Sequence, residues 1–359
     1  MDSRRFGRLA AVLTTVALVA AACGPSGAST APSAAPSTAP SVAPSADGSP
    51  AAGSTAVTFI PKQINNPYFD AALTGAEKAA GELGGTVTQV GPSSATEPQA
   101  SYIQDATTQG VSAIAISAND PDAVVPALTE AQAAGIKVVG YDSAPASNYD
   151  VFVNQVDFSG VGVLLADWAC ELAPDCTGEI AILSAAATAT NQNAWIDLMK
   201  TTLTEPKYAG LTLVDTVYGD DDPQISTTQA QGLLQAHPNL KVIVAPTTVG
   251  VLAAAQVVSA AGKSDSVKVT GLGFPNDMRS FVKDGTSPVF GLWSVPDLGY
   301  LTYYIADLLV KGDITGAPGE TFSVPGLNGD QPYTIGPDSV VVMGPAFRFD
   351  ETNIDDFDF

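Results

Sequence analysis

From residue 56 onward, short apolar runs alternate with amphipathic segments, and this alternation restricts the fold more than any other feature. Val57–Ile60 reads as a strand. Tyr68–Leu83 places Phe69, Leu73, Ala76, Ala80 and Leu83 on one helical face. Thr86–Val90 is a second strand, and Ala100–Gln109 is a helix stopped by Gly110. Ala113–Ile116 is a third strand, Asp122–Ala134 a helix stopped by Gly135, and Lys137–Tyr141 a fourth strand. Strands separated by helices repeat about every 25 to 30 residues, the spacing of βα units in a parallel sheet covered on both faces.

The pattern then restarts. Strands are expected near Val151–Val153, Glu179–Leu183, Thr212–Val217, Val242–Ala245, Val267–Gly271 and Val289–Leu292. Helices are expected at Gly160–Leu172, Asn193–Thr204, Gln224–Ala236, Val249–Ala261, Asn276–Asp284 and Leu298–Lys311, with a strand-like Ser339–Met343 in a Pro- and Gly-rich tail. The fold class is α/β: two doubly wound, Rossmann-like lobes joined by a hinge, with a ligand cleft between the carboxyl ends of their strands. The expected division gives the first lobe 56–148 plus about 296–320, and the second 149–295 plus about 321–359.

The residues before this pattern read as targeting, not fold. Arg4, Arg5 and Arg8 precede an apolar run from Leu9 to Ala22, which is shorter than the roughly 20 residues of a membrane span. Ala20-Ala21-Ala22 before Cys23 resembles a lipoprotein signal, so 1–22 is expected to be removed and Cys23 acylated. The alternative is an ordinary secretory signal with Cys23 incidental. Residues 23–55 are rich in Ala, Pro, Ser and Thr, cannot bury a core, and suit a tether between a lipid anchor and a folded body. The expected location is the outer face of the cytoplasmic membrane. In that oxidising setting Cys170 and Cys176 either pair across the turn at Ala173-Pro174-Asp175 or remain two buried thiols.

A formal net charge of -22 argues against nucleic acid and anionic lipid surfaces as partners. Catalytic signatures are missing: there is no G-x-S-x-G elbow, no G-x-x-x-x-G-K and no G-x-G-x-x-G. His237 is the sole histidine and precedes Pro238 at a helix end, which leaves no base for Ser/His/Asp chemistry. No cofactor, no metal and no enzymatic activity are expected. Asp220-Asp221-Asp222 before Pro223 fits a helix start, where carboxylates accept the free N–H groups; an exported glycosidase using paired acids is the remote alternative.

Polar and aromatic residues gather where the strands end. Lys62, Asn66, Tyr68 and Phe69 follow the first strand, Asn119 and Asp120 the third, and Asp142 the fourth. In the second half Asn191, Gln192 and Trp195 open a helix, Pro246 and Thr248 follow one strand, and Trp293 follows another. Planar amides and a carboxylate bond neighbouring hydroxyls, and aromatic faces cover C–H surfaces, so the set suits a small neutral polyol such as a sugar. Each member also has a bland role as helix cap, core residue or loop cation. Their recurrence at one end of successive strands carries the reading.

These residues resemble the sugar-binding subclass of the type I periplasmic binding proteins, over roughly Val57 to Phe359. Asn66-Pro67-Tyr68-Phe69 is similar to the first loop of the ribose-binding group. The strings 116–123, 189–195, 217–221 and 245–250 resemble rhamnose-binding members. Lys62, Asp142, Gln192 and Pro246 also match autoinducer-2 binders, which usually carry Asp where this chain has Asn191 and Ala where it has Thr248. The resemblance implies a monomeric binding subunit of an ABC importer that closes on rhamnose or a similar hexose and docks on a membrane permease. Autoinducer-2 or a ribose-like sugar is the alternative ligand.

Overall fold

The computed structural model describes residues 54–94 and 97–359. The expected signal segment, Cys23 and nearly all of the expected tether lie outside the described residues. The first half runs β1 (Ala56–Ile60), α1 (Pro67–Leu83), β2 (Thr86–Gln89), α2 (Ala100–Gln109), β3 (Ala113–Ile116), α3 (Val125–Ala133), β4 (Lys137–Tyr141) and β5 (Val151–Asn154). The second runs α4 (Phe158–Leu172), β6 (Gly178–Ser184), α5 (Thr190–Thr202), β7 (Leu211–Tyr218), α6 (Pro223–Ala236), β8 (Leu240–Ala245), α7 (Thr248–Ala260), β9 (Lys268–Gly271), α8 (Pro275–Lys283) and β10 (Val289–Leu292). The chain ends with α9 (Val295–Lys311), β11 (Thr321–Phe322), β12 (Tyr333–Thr334), β13 (Val340–Val342) and β14 (Phe347–Asp350).

The strands form a wholly parallel six-stranded sheet, β13-β5-β4-β3-β1-β2, and a parallel four-stranded sheet, β7-β6-β8-β9. A bridge between Leu272 and Gly291 attaches β10 to the second sheet, and β14 pairs antiparallel with β10. Burial follows position. The central β3 is buried on both faces, whereas the edge strand β2 alternates exposed and half-buried residues. The α/β class and the two lobes are therefore as expected.

The lobe boundaries move. β5 was expected to open the second lobe, but it pairs with β4 in the first sheet. The chain first crosses after Asn154, so the boundary at 148 falls one strand early. It returns to the first lobe after β10, since α9 packs on α1, β3 and β4. The tail then divides, with β13 joining the first sheet and β14 the second. Hydrophobic pattern identifies a strand but not which sheet it enters, because parallel pairing is non-local. Helix ends shift for local reasons: α9 begins at Val295 because Ser294 accepts from Asp297 N and Pro296 occupies the first turn.

Two glycines set the close approach of α1 and α9. A Cβ on Gly299 would stand 1.7 Å from the Ala72 carbonyl oxygen, and one on Gly75 would stand 1.7 Å from that of Pro296. The helices therefore touch backbone to backbone and hold the loop after β1 against the loop after β10. Cys170 and Cys176 are joined by a disulfide across the turn that follows α4. Among the described residues, no helix is long and apolar enough to cross a membrane.

Candidate ligand-binding site

The carboxyl ends of both sheets face a cleft of about 380 Å³. Asp142 anchors it. This residue follows β4 in left-handed backbone conformation, φ 58°, and is 4% exposed. Its Oδ2 accepts from Ser117 Oγ at 2.7 Å and lies 3.2 Å from Lys62 Nζ. Its Oδ1 accepts from Gln155 Nε2 at 3.2 Å and from Asn191 Nδ2 at 3.1 Å. Lys62 Nζ also donates to Asn191 Oδ1 at 3.2 Å. Lys62 and Asp142 come from the first lobe and Asn191 from the start of α5 in the second, so the three close a ring across the cleft.

The Lys62 loop and Gln192 are held from behind. Asn119 donates from Nδ2 to the Lys62 carbonyl at 2.6 Å, and Gln99 donates to the carbonyls of Pro61 and Ser117 at 2.8 Å each. The Gln192 side-chain oxygen accepts from Ser184 Oγ at 2.7 Å and from Ala185 N at 2.9 Å. That leaves its Nε2 donors as the face it offers the cleft.

Four buried rings form a wall. Asn66 caps α1 by accepting from Tyr68 N, and this turns Tyr68 and Phe69 inward, in edge contact at 5.2 Å. Trp293 Nε1 donates to Tyr68 Oη at 3.0 Å, and the Trp293 ring lies 5.8 Å from Trp195. Burial, then the charge of Asp142, raises the Tyr68 phenol well above its ordinary range and keeps it protonated. Leu272 and Leu292 complete an apolar patch in the lining.

The second lobe adds a carboxylate. Asp221 lines the cleft beside Pro246, Thr247 and Thr248 and accepts from Thr247 Oγ1. Burial raises its carboxyl above the usual range; the Thr247 hydrogen bond and the Lys62 charge oppose that rise, while Asp142 and Asp220 add to it. Asp220 and Asp221 both have left-handed backbone, φ 53° and 49°. With Asn65 (φ 59°) and Asp142, left-handed Asn and Asp residues recur on the loops around this cleft.

The chain matches a periplasmic binding protein domain over residues 57–314. It belongs to the periplasmic binding protein family. A solved ABC transporter solute binding protein from Clostridium phytofermentas, with bound L-rhamnose, is 41% identical, with a TM-score of 0.81 over 84% of this chain and 98% of its own. LsrB from Clostridium saccharobutylicum, in complex with AI-2, is 26% identical, with a TM-score of 0.78 over 85% of this chain and 100% of its own. The ribose import binding protein RbsB of Salmonella typhimurium is 26% identical over 266 residues, 73% of this chain and 87% of the relative.

As in other periplasmic binding proteins, both lobes contribute to the cleft. Lys62, Asn66, Tyr68, Phe69, Asp142, Asn191, Gln192, Trp195, Pro246, Thr248 and Trp293 all line it. Asn119 and Asp120 do not. Asn119 braces the Lys62 loop from behind, and the exposed Asp120 accepts from Asp122 N and Ala123 N at 3.1 Å each, in the turn before α3. Sequence reasoning missed Asp221, Leu272 and Leu292 in the lining, and Gln155 behind Asp142. Of the acidic run, only Asp222 caps α6, accepting from Gln224 N and Ile225 N at 2.8 Å. His237 ends α6 and lies 3.3 Å from Asp215. No group of three or more His, Cys, Asp or Glu able to hold a metal ion occurs among the described residues.

Proposed function

We propose that this chain is the sugar-capturing subunit of an ABC importer and that its ligand is rhamnose or a similar deoxyhexose. The ring of Lys62, Asp142 and Asn191 carries the reading. It sets a cation, a carboxylate and an amide from two lobes within hydrogen-bonding reach of one small cavity, beside aromatic walls. Vicinal hydroxyls bind such groups in pairs, and the rings cover C–H faces. Leu272, Leu292 and Phe69 offer the apolar contact that a deoxysugar methyl takes and a primary alcohol does not. The rhamnose-bound relative supports this choice of ligand.

AI-2 is the second reading, favoured by the LsrB relative and by Lys62, Asp142, Gln192 and Pro246. Titration calorimetry with L-rhamnose, ribose and AI-2 separates the two. We expect saturable heat from L-rhamnose; no heat with any sugar sinks the sugar reading, and heat with AI-2 alone reverses the order. In this reading Asn119 and Asp120 support the site without touching the ligand. The lobes close on the sugar by hinge motion, and the closed monomer docks on a permease. Cys23 carries the lipid, with 24–55 as the tether. Metabolic labelling with a fatty acid tests this: label lost in Cys23→Ala supports the anchor, and wild-type protein without label ends it.

A further inference from the structure

Next to the cleft lies a groove of about 760 Å³, walled by both lobes. Gln63, Ile64 and Asn65, from the loop between β1 and α1, form one side, and Asp220 and Ile225 form the other. Asn66 and Asp221 line both cavities. Asn66 and Asp221 therefore mark the boundary between the two cavities. Gln63 Nε2 donates to the Asp221 carbonyl at 3.2 Å beside it, so the groove exists where the lobes meet.

Its surface is not that of an ordinary solvated edge. Ile225 is 40% exposed, one of few large apolar side chains so exposed among the described residues. With Ile64 it presents aliphatic carbon between the amides of Gln63 and Asn65 and the carboxylate of Asp220. An apolar patch framed by planar hydrogen-bonding groups matches a pyranose, which has C–H faces and a rim of hydroxyls.

We propose that the groove is a second subsite and that the ligand is a glycoside: a hexose in the cleft, with an O-linked, sugar-sized substituent reaching past Asn66 and Asp221 into the groove. The proposal rests on the sugar reading above and names its substrate class more closely. No bond is made or broken; the glycoside is bound intact.

Calorimetry on the full chain tests it with L-rhamnose, methyl α-L-rhamnoside, and a disaccharide of rhamnose α-linked to glucose. The disaccharide is expected to bind at least as tightly as rhamnose. Ile225→Asn, an exposed substitution outside the cleft, should weaken the disaccharide about fivefold to tenfold by removing apolar contact, and leave rhamnose within about twofold. Binding of rhamnose with rejection of both glycosides overturns the subsite and leaves the sugar reading standing. Acceptance of the methyl glycoside alone overturns the sugar-sized occupant. Equal weakening of both ligands by Ile225→Asn, or of neither, overturns the groove as the contact. No heat with any of the three removes the sugar reading and the subsite together.

Discussion

The two walls of the cleft are built differently. On the first-lobe side, Asp142 has both oxygens committed, to Ser117, Lys62, Gln155 and Asn191, and its cation partner stands 3.2 Å away. On the second-lobe side, Asp221 accepts from the Thr247 hydroxyl and has no salt-bridge cation among the described residues, on a loop with two consecutive left-handed residues. The Asp142 carboxylate is thus fully paired, and one of its partners, Asn191, reaches it from the second lobe. The second holds a carboxyl that burial pushes toward its neutral form. The contrast is between a carboxylate paired with a cation and one held by a hydroxyl.

Asp142→Ala should break this contrast most. It strands the Lys62 cation in a site where its residue is only 7% exposed. Truncating one partner of a buried, hydrogen-bonded charge pair at a binding site costs about 2–5 kcal/mol, so sugar affinity should fall by about one and a half to three and a half orders of magnitude in calorimetry. A loss under tenfold would show that the first wall does not carry recognition. Lys62→Met should cost somewhat less, about 2–4 kcal/mol, and the double variant Lys62→Met/Asp142→Ala should lose less than the sum, because neither charge remains unpaired. Additive losses would mean that the ring is not a coupled unit.

Much of this was legible in the sequence, and the exceptions have physical causes. The strands and helices of both lobes follow from apolar periodicity, and most cleft residues from their place just past strand ends. The sequence pattern places β5 and β13 with the second lobe, yet both pair in the first sheet, because a parallel strand carries no mark of its partner. Asp221 was read as part of a helix start because capping and cleft-lining use the same residue type; only Asp222 caps. Asn119 shows the converse. A strand-end amide that looked like a ligand group spends its side chain on the Lys62 carbonyl. Asn119→Ala should therefore lower stability by about 1 kcal/mol, seen in chemical denaturation, with affinity reduced only about threefold or less through the loosened Lys62 loop. An affinity loss as large as that of Asp142→Ala would return Asn119 to the ligand's contact shell.

The smallest expected effect sharpens the contrast from the second wall. Burial raises the Asp221 carboxyl above its unfolded value. Its contribution to stability is then fully present below the unfolded pKa of about 3.9 and is lost as pH rises through the folded one. Above that folded pKa the wild-type protein bears the cost of ionising a half-buried group that the folded state prefers neutral. Asp221→Asn keeps an oxygen that can accept from Thr247 and removes that cost. Thermal unfolding of the variant at pH 7 should occur at the same temperature as wild type or slightly higher, and the advantage should shrink as pH approaches 4. The same exchange at Asp142, where the carboxylate faces Lys62, should destabilise at pH 7. If Asp221→Asn instead lowers the unfolding temperature most at neutral pH, Asp221 is paired as an anion like Asp142, and the two walls are alike after all.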